Sequence, residues 1–238
     1  MRLSELFEEL SVGELSQLSM SNDGSGEIVE KYHNKLIVYI NNSLLKLYTR
    51  FPLKTNELLV EQHEHITNYH LKRDFAQSAD SDQPYRYISD LGGEPFKGGV
   101  LKILEVSDLL GGHIPLNDPG NERSYFTPAP DVLQVPYPIT GNVTSVTYQD
   151  KHAHIETAGL TLEKKLAQEI KLPLFLKDAL IKQIAYNVFS HMNGQEHQAK
   201  AQEYITLYEN ACNLVEEGDF ANQTVSNSHS KLVDRGFV

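Results

Sequence analysis

The chain has 238 residues, a single cysteine, no tryptophan and a formal net charge of −11 at pH 7. A chain of this length buries enough surface to fold without a disulfide or a metal, and the lone Cys212 excludes an internal disulfide, which fits a reducing cytoplasm. Its basic residues are scattered, whereas a sequence-specific DNA-binding protein clusters them against phosphates. The longest apolar run, Leu36–Ile40, has five residues and is too short for a membrane span.

The first twenty residues predict two short helices. Apolar residues recur at intervals of three and four over the first ten positions, which is typical of an amphipathic helix. Ser11 and Glu14 have the spacing of a capping box, so a second helix is expected to begin there and to include Leu15 and Leu18. The glycine-rich stretch SNDGSG ends this pair.

A longer helix is predicted from about Glu27 to Tyr48. Its apolar residues lie at steps of four, at 28, 32, 36, 40, 44 and 48. Pro52 is expected to end it, because proline disfavours helical backbone at the preceding residue.

Between about Leu58 and Glu156 the pattern changes to short strand-like runs separated by prolines and glycines. The predicted strands are LLVEQ, ITNYHL, VLKILEVSD, VLQVPY, SVTYQD and HAHIE. Such runs with turn residues between them predict a small antiparallel sheet or sandwich.

Helical periodicity returns at Thr161. A short stripe ends before Pro173, and a second, stepping by four, runs from Leu176 to Met192 and is followed by the turn Asn193-Gly194. The third helix has a seam at Ala201, Tyr204, Tyr208, Ala211 and Val215 and is expected to end at Gly218. So short a link predicts that the last two helices fold back as an antiparallel hairpin.

The expected fold class is therefore α+β. N-terminal helices (1–56) and C-terminal helices (159–218) are predicted to form an α-helical bundle with an inserted antiparallel β domain (57–158) and an extended C-terminal tail (219–238).

The one pattern that points to metal chemistry is a pair of His-x-His motifs, His63 with His65 and His152 with His154. On a strand, both histidines of a pair share a face, a spacing that zinc or iron accepts. No recognised metal or nucleophile signature is completed. We therefore expect no catalytic residue, metal or cofactor, and a metal-dependent enzyme using these pairs remains the alternative.

The chain ends in NQTVSNSHSKLVDRGFV, a polar stretch that finishes in apolar residues. A tail of this kind stays soluble when free and covers a large surface once bound. We expect the final eight residues to be the binding part: Lys231, Leu232, Val233, Asp234, Arg235, Gly236, Phe237 and Val238.

Several stretches resemble the head-to-tail adaptor (connector or neck) proteins of tailed double-stranded DNA bacteriophages, podovirus type. They are RLSELFEELSVGELSQLSM, NNSLLKLYTRFP, NELLVEQHEHITNYHL, PFKGGVLKILEV, DVLQVPYP, LPLFLKDALIKQIAYNVFSHMNGQEHQAKAQEYITLYENAC and KLVDRGFV. The likeness covers nearly the whole chain in order and includes no catalytic motif.

The resemblance implies a structural virion protein that is assembled in the host cytoplasm as a closed ring of about twelve copies. It implies that the ring lies under the portal protein, that the C-terminal tail docks on that portal, and that tail or nozzle proteins bind the far side. Genomic DNA would pass through the channel without sequence-specific binding, and no membrane is involved. A second alternative is another ring-forming tail-completion protein.

Overall fold

The computed structural model describes residues 1–18, 20, 27–89, 95–218 and 220. They form a mixed α and β structure with five α-helices and two antiparallel sheets, so the expected α+β class is compatible with it. The described residues divide into two compact units. The first contains the described residues of Met1–Leu53 and those from His152 to Phe220, and the second contains the described residues of Lys54–Lys151.

The first unit is helical. Its α-helices are α1 (Leu3–Val12), α2 (His33–Arg50), α3 (Leu162–Leu166), α4 (Lys177–Ser190) and α5 (Gln195–Glu217), and 3₁₀ turns at Glu30–Tyr32 and Leu174–Leu176 precede α2 and α4. These helices bury one continuous apolar core that includes residues of α1, α2, α4 and α5. Among the described helices, none combines the length and the hydropathy that a membrane-spanning segment requires.

Helices α4 and α5 form the predicted antiparallel hairpin. The ring of Phe175, just before α4, stacks on that of Phe220, just after α5, with 5.8 Å between centroids. At the other end of the pair, Phe189 stacks on Tyr204 at 5.4 Å. Gly194 in the link has a φ of +115°, a backbone angle that glycine adopts at little cost.

The second unit contains two antiparallel sheets. Its strands are β1 (Thr55–Glu61), β2 (Asn68–His70), β3 (Ile88–Ser89), β4 (Val100–Asp108), β5 (His113–Ile114), β6 (Phe126–Ala129), β7 (Val132–Gln134) and β8 (Val143–Asp150). One sheet has the order β3-β1-β8-β4-β5 and the other β2-β7-β6. Side chains from both sheets, among them Val146 and Leu133, belong to one apolar core.

Five of the six predicted strands are present. VLKILEVSD has the predicted bounds as β4, the other four differ at their ends, and HAHIE is not a strand. The side chain of Asn41 in α2 takes the place of a neighbouring strand, since its Nδ2 donates to the carbonyl of Ile155 and its Oδ1 accepts from the N–H of the same residue, at 3.2 and 3.0 Å. His152 also contacts Asn41, with Nε2 3.2 Å from Oδ1. The N–H and carbonyl groups of Ile155 are therefore hydrogen-bonded without a sheet.

The prediction of a second N-terminal helix was wrong. Helix α1 includes Ser11, whose hydroxyl donates to the carbonyl of Glu8 at 2.9 Å. At Gly13 the backbone leaves helical geometry, with φ −92° and ψ −113°. Turns follow, although Leu15 is buried as its apolar character requires.

The long helix begins later than predicted and ends at Arg50, just beyond the predicted Tyr48 and before Pro52. It begins at His33, directly after the 3₁₀ turn Glu30–Tyr32, and the ring of His33 donates to the carbonyl of Ile28 at 2.8 Å. At the other end, Phe51 is extended, with φ −116° and ψ 137°, because Pro52 follows it.

Candidate assembly surfaces

The first His-x-His pair lies on a loop after β1, and the strand placement predicted for it was wrong. The phenol of Tyr69 donates to the carbonyl of His63 at 3.2 Å and accepts from its N–H at 2.9 Å. His152, of the second pair, is buried, whereas His154 is exposed. In the described parts of the chain, no three His, Cys, Asp or Glu side chains come together in a way that could hold a metal ion.

Helix α5 presents three different faces. The buried face contributes Ala201, Tyr208, Cys212 and Val215 to the core. A polar face carries groups that bind Arg50 of α2. A third face directs Leu207 and Leu214 to solvent, and these leucines are seven residues apart and therefore on the same side of the helix.

The exposed leucines border a groove that we call the α5 groove. Leu214 is 66% exposed and Leu207 is 38% exposed. The groove has a volume of about 400 Å³. Its lining residues are Phe175, Asp178, Leu207, Asn210, Ala211, Leu214, Val215 and Phe220.

This apolar exposure is costly for a free subunit. Burying a leucine stabilises a structure by about 1.5–3 kcal/mol relative to leaving it in water. Clustered exposed apolar side chains, unlike single ones, mark interaction surfaces. The α5 groove is therefore the strongest candidate for a contact with another protein surface.

Helix α2 carries a second apolar pair with the same spacing. Val38 is 54% exposed and Leu45 is 41% exposed. Leu45 also lines a groove of about 560 Å³, which we call the α2 groove. The groove is lined by Asn42, Leu45, Lys46, Thr49, Arg50 and Tyr208.

Lys46 of the α2 groove has several partners, and its Nζ lies 3.9 Å from Oε1 of Glu209 in α5. The ammonium group of Lys46 lies 4.2 Å from the ring centroid of Tyr208 and 3.0 Å from Oε1 of Gln183. This position over an aromatic face holds the cation in place. Burial raises the pKa of Tyr208, so its phenol stays neutral beneath the cation.

Arg50 fixes α2 against α5. Its guanidinium donates to Glu209 at 2.6 Å, to Glu216 at 2.7 Å and to Asn213 at 2.9 Å. These hydrogen bonds raise the pKa of Arg50 and lower that of Glu216. The two grooves are thus held on a rigid pair of helices.

The α5 groove has one carboxylate in its lining, Asp178. It is mostly exposed, and its Oδ1 lies 3.6 Å from Nζ of Lys182, one turn later in α4. The last turn of α5 contains Glu216 and Glu217 and no basic residue; Arg50 of α2 pairs with Glu216.

The second unit exposes apolar side chains at the turn between β4 and β5, which we call the hairpin tip (Leu109–Gly112). Leu110 is 91% exposed. The turn is fixed, because Oδ1 of Asp108 accepts from the N–H groups of Leu110 and Gly112 at 2.9 and 2.7 Å. Gly111 has a φ of +83°, which suits glycine.

The predicted portal-binding residues Lys231–Val238 lie outside the described residues. The two grooves and the hairpin tip were not predicted. A signal for the grooves is present in the sequence, since Val38, Leu45, Leu207 and Leu214 are large apolar residues that fall off the buried stripes of their helices. The chain matches no protein-family model, and comparison with curated proteins finds no match.

Proposed function

We propose that the protein is a structural subunit of a head-to-tail adaptor ring in a tailed double-stranded DNA phage of podovirus type. The ring lies beneath the portal, joins it to the tail or nozzle and lines the channel for DNA. In this proposal the helical unit is a bundle that carries the β unit as an insertion, and the protein is not an enzyme.

The observation that carries the proposal is the α5 groove. Leu207 and Leu214 project from a helix that Arg50 anchors on another side. We therefore take their exposure as a feature of a well-packed helix and not as a result of loose packing. A ring subunit must keep such a face free until a neighbour covers it. The resemblance supplies the kind of assembly, and the groove supplies a surface suited to it.

Other parts of the chain have separate roles in this proposal. The residues Lys231–Val238 bind the portal, with Arg235 offering a charge-assisted contact. The hairpin tip contacts tail proteins through Leu109 and Leu110. The net charge of −11 lets the genome pass, because an acidic protein gives DNA no counterion-release energy.

Electron microscopy of the protein mixed with the portal protein of the same phage tests the proposal. We expect rings stacked coaxially on the portal. Deletion of Ser228–Val238 should abolish this stacking and leave the helical circular dichroism unchanged. A matched control keeps the length and composition of the last eight residues but scrambles their order, and it should also fail to bind.

If the truncated protein joined portal rings with unchanged affinity, tail docking would be wrong. If the full chain formed rings that bound tail proteins and never the portal, the alternative of a tail-completion ring would replace the adaptor.

A further inference from the structure

The chain leaves α5 at the edge of the α5 groove. The N–H of Phe220 donates to the carbonyl of Val215 at 3.3 Å, a bond of the Schellman type that ends many helices. Because this bond reaches back to the preceding turn, the chain folds back over the end of α5. The ring of Phe220 stacks on that of Phe175, and both rings line the groove.

Packing fixes Phe220 on a second side, at Gly218. A Cβ at this glycine would lie 2.3 Å from Cε2 of Phe220, so the ring rests directly on the backbone of Gly218. The point from which the following residues start is therefore set, and it lies at the groove.

The residues beyond Phe220 are within reach of both exposed leucines of the groove. The stretch 221–230 spans at most about 35 Å when fully extended, whereas Leu207 and Leu214 are about 10 Å apart along α5. This stretch contains one large apolar residue, Val225. The segment Lys231–Val238 contains four, which are Leu232, Val233, Phe237 and Val238.

We propose that in the free protein the segment Lys231–Val238 folds back on the α5 groove of its own chain and covers Leu207 and Leu214. A tethered segment meets its site at an effective concentration on the order of millimolar, so a few apolar contacts are enough to hold it. The contact removes exposed leucine surface from water. The occupant of the groove is thus the tail of the same chain.

This contact adds a regulatory step to the proposed function, and that consequence rests on the proposed function. The portal and the α5 groove compete for the same residues, Lys231–Val238, which cannot occupy both at once. A copy whose tail has bound the portal therefore exposes its groove to a ring neighbour. The docking of the tail on its own groove needs neither the portal nor a ring.

Tryptophan fluorescence of the isolated protein tests the contact, because the chain has no tryptophan of its own. In Phe237→Trp the single indole should emit at a shorter wavelength than in Phe237→Trp/Leu207→Ser/Leu214→Ser, since the intact groove excludes water from it. The emission should not change on dilution, because the contact is intramolecular. Both leucines are exposed, so their replacement should leave the helical circular dichroism unchanged.

The matched control is Phe237→Trp/Leu109→Ser/Leu110→Ser, which removes two exposed leucines from the hairpin tip instead. Its emission should equal that of Phe237→Trp.

Disulfide formation under mild oxidation of dilute protein gives a second measurement that leaves Phe237 in place. Leu214→Cys/Val233→Cys should form an intramolecular disulfide. Gln202→Cys/Val233→Cys should form it much more slowly, because Gln202 is exposed on another side of α5. Cys212 is buried and should not compete.

Four outcomes would overturn the contact: solvent-like emission from Phe237→Trp, a shift that follows the hairpin tip, equal rates for the two disulfides, or a blue shift that is lost on dilution. The last would place the segment on the groove of another copy. The proposed function is judged separately, by the stacking of rings on the portal. Rings that stack although the tail does not cover its own groove would leave the adaptor standing and remove only this contact.

Discussion

Nε of Arg50 lies 2.7 Å from Oε1 of Glu216, although the two residues are 166 positions apart in the chain. This contact ties the last turn of α2 to the last turn of α5. It thereby holds the α2 groove and the α5 groove on one rigid pair of helices.

Arg50→Ala should lower the unfolding free energy by about 1 kcal/mol. Three side chains lose the hydrogen bonds that the Arg50 guanidinium donates. Glu209 and Glu216 are about half exposed, so solvent screens most of the attraction between them and Arg50. Urea unfolding measures the loss. Arg123→Ala is the control and should change the unfolding free energy little, because Arg123 is exposed and donates to Asn121 through its backbone N–H.

Acid should reduce the contribution of this contact. Arg50 lowers the pKa of Glu216 in the folded protein, so the stabilisation is present above the ordinary glutamate pKa and is lost as the pH falls through the folded value. The difference between the parent and Arg50→Ala should shrink below pH of about 4. A constant difference down to the acid unfolding transition would contradict this role.

Alkali should destabilise the β unit. Burial, with the charge of Asp150 as a smaller cause, raises the pKa of Tyr148 to about 12, and burial raises the pKa of Tyr69 and Tyr87 as well. An acid with a raised folded pKa stabilises below its unfolded pKa of about 10, and this is lost as the pH rises toward the folded value.

The free energy of unfolding, measured at several pH values between 9 and 12, reports this effect. We expect it to fall by about 1 kcal/mol for each buried phenol. Tyr148→Phe should flatten the decline, whereas Tyr137→Phe should not, because Tyr137 is 79% exposed. An identical decline in both variants would show that Tyr148 is not responsible.

Ile184→Asp should unfold the helical unit. Ile184 is fully buried between α4 and its neighbours, and an unpaired buried charge costs about 3–5 kcal/mol. Ile184→Val, which keeps the site apolar, should cost only about 0.5–1.5 kcal/mol. Tyr204→Asp should cost less than Ile184→Asp, since Tyr204 is only partly buried. Native melting of Ile184→Asp would contradict this packing.

The parts of the fold that follow from local pattern were predictable. Pro52 ends α2, and the apolar steps of α4 and α5 give a hairpin, because these features depend on neighbouring residues alone. HAHIE was not predictable, since it is held by Asn41, more than a hundred positions away in the chain. The start of α2 follows a 3₁₀ turn over Glu30–Tyr32, and apolar periodicity does not distinguish such a turn from the first turn of an α-helix.

The candidate surfaces were missed for a different reason. The buried seam of α5 runs through Tyr208 and Val215 and does not include Leu207 and Leu214. A large apolar residue off such a seam is itself a signal of a contact surface. The hairpin tip needed the structure, because two leucines beside two glycines read equally well as a buried turn.

Leu109→Ser/Leu110→Ser should leave the unfolding free energy within about 0.5 kcal/mol of the parent, as exposed substitutions generally do. If the proposed function holds and the hairpin tip contacts tail proteins, the same variant should still bind the portal but should fail to recruit the tail, as seen by co-sedimentation of this protein with portal and tail proteins. The turn itself should be more sensitive. Asp108→Ala removes the acceptor for two N–H groups and should cost about 1–2 kcal/mol.

Gly112→Ala separates the shape of the tip from its leucines. A Cβ at Gly112 would lie 2.6 Å from Oδ2 of Asp108, so the Asp108 carboxylate that holds the turn must shift while both leucines remain. We expect tail recruitment to fall in this variant although its apolar content is unchanged. Full recruitment by the leucine-to-serine variant would remove the hairpin tip as a contact, and full recruitment by Gly112→Ala alone would show that its apolar surface acts without a fixed turn.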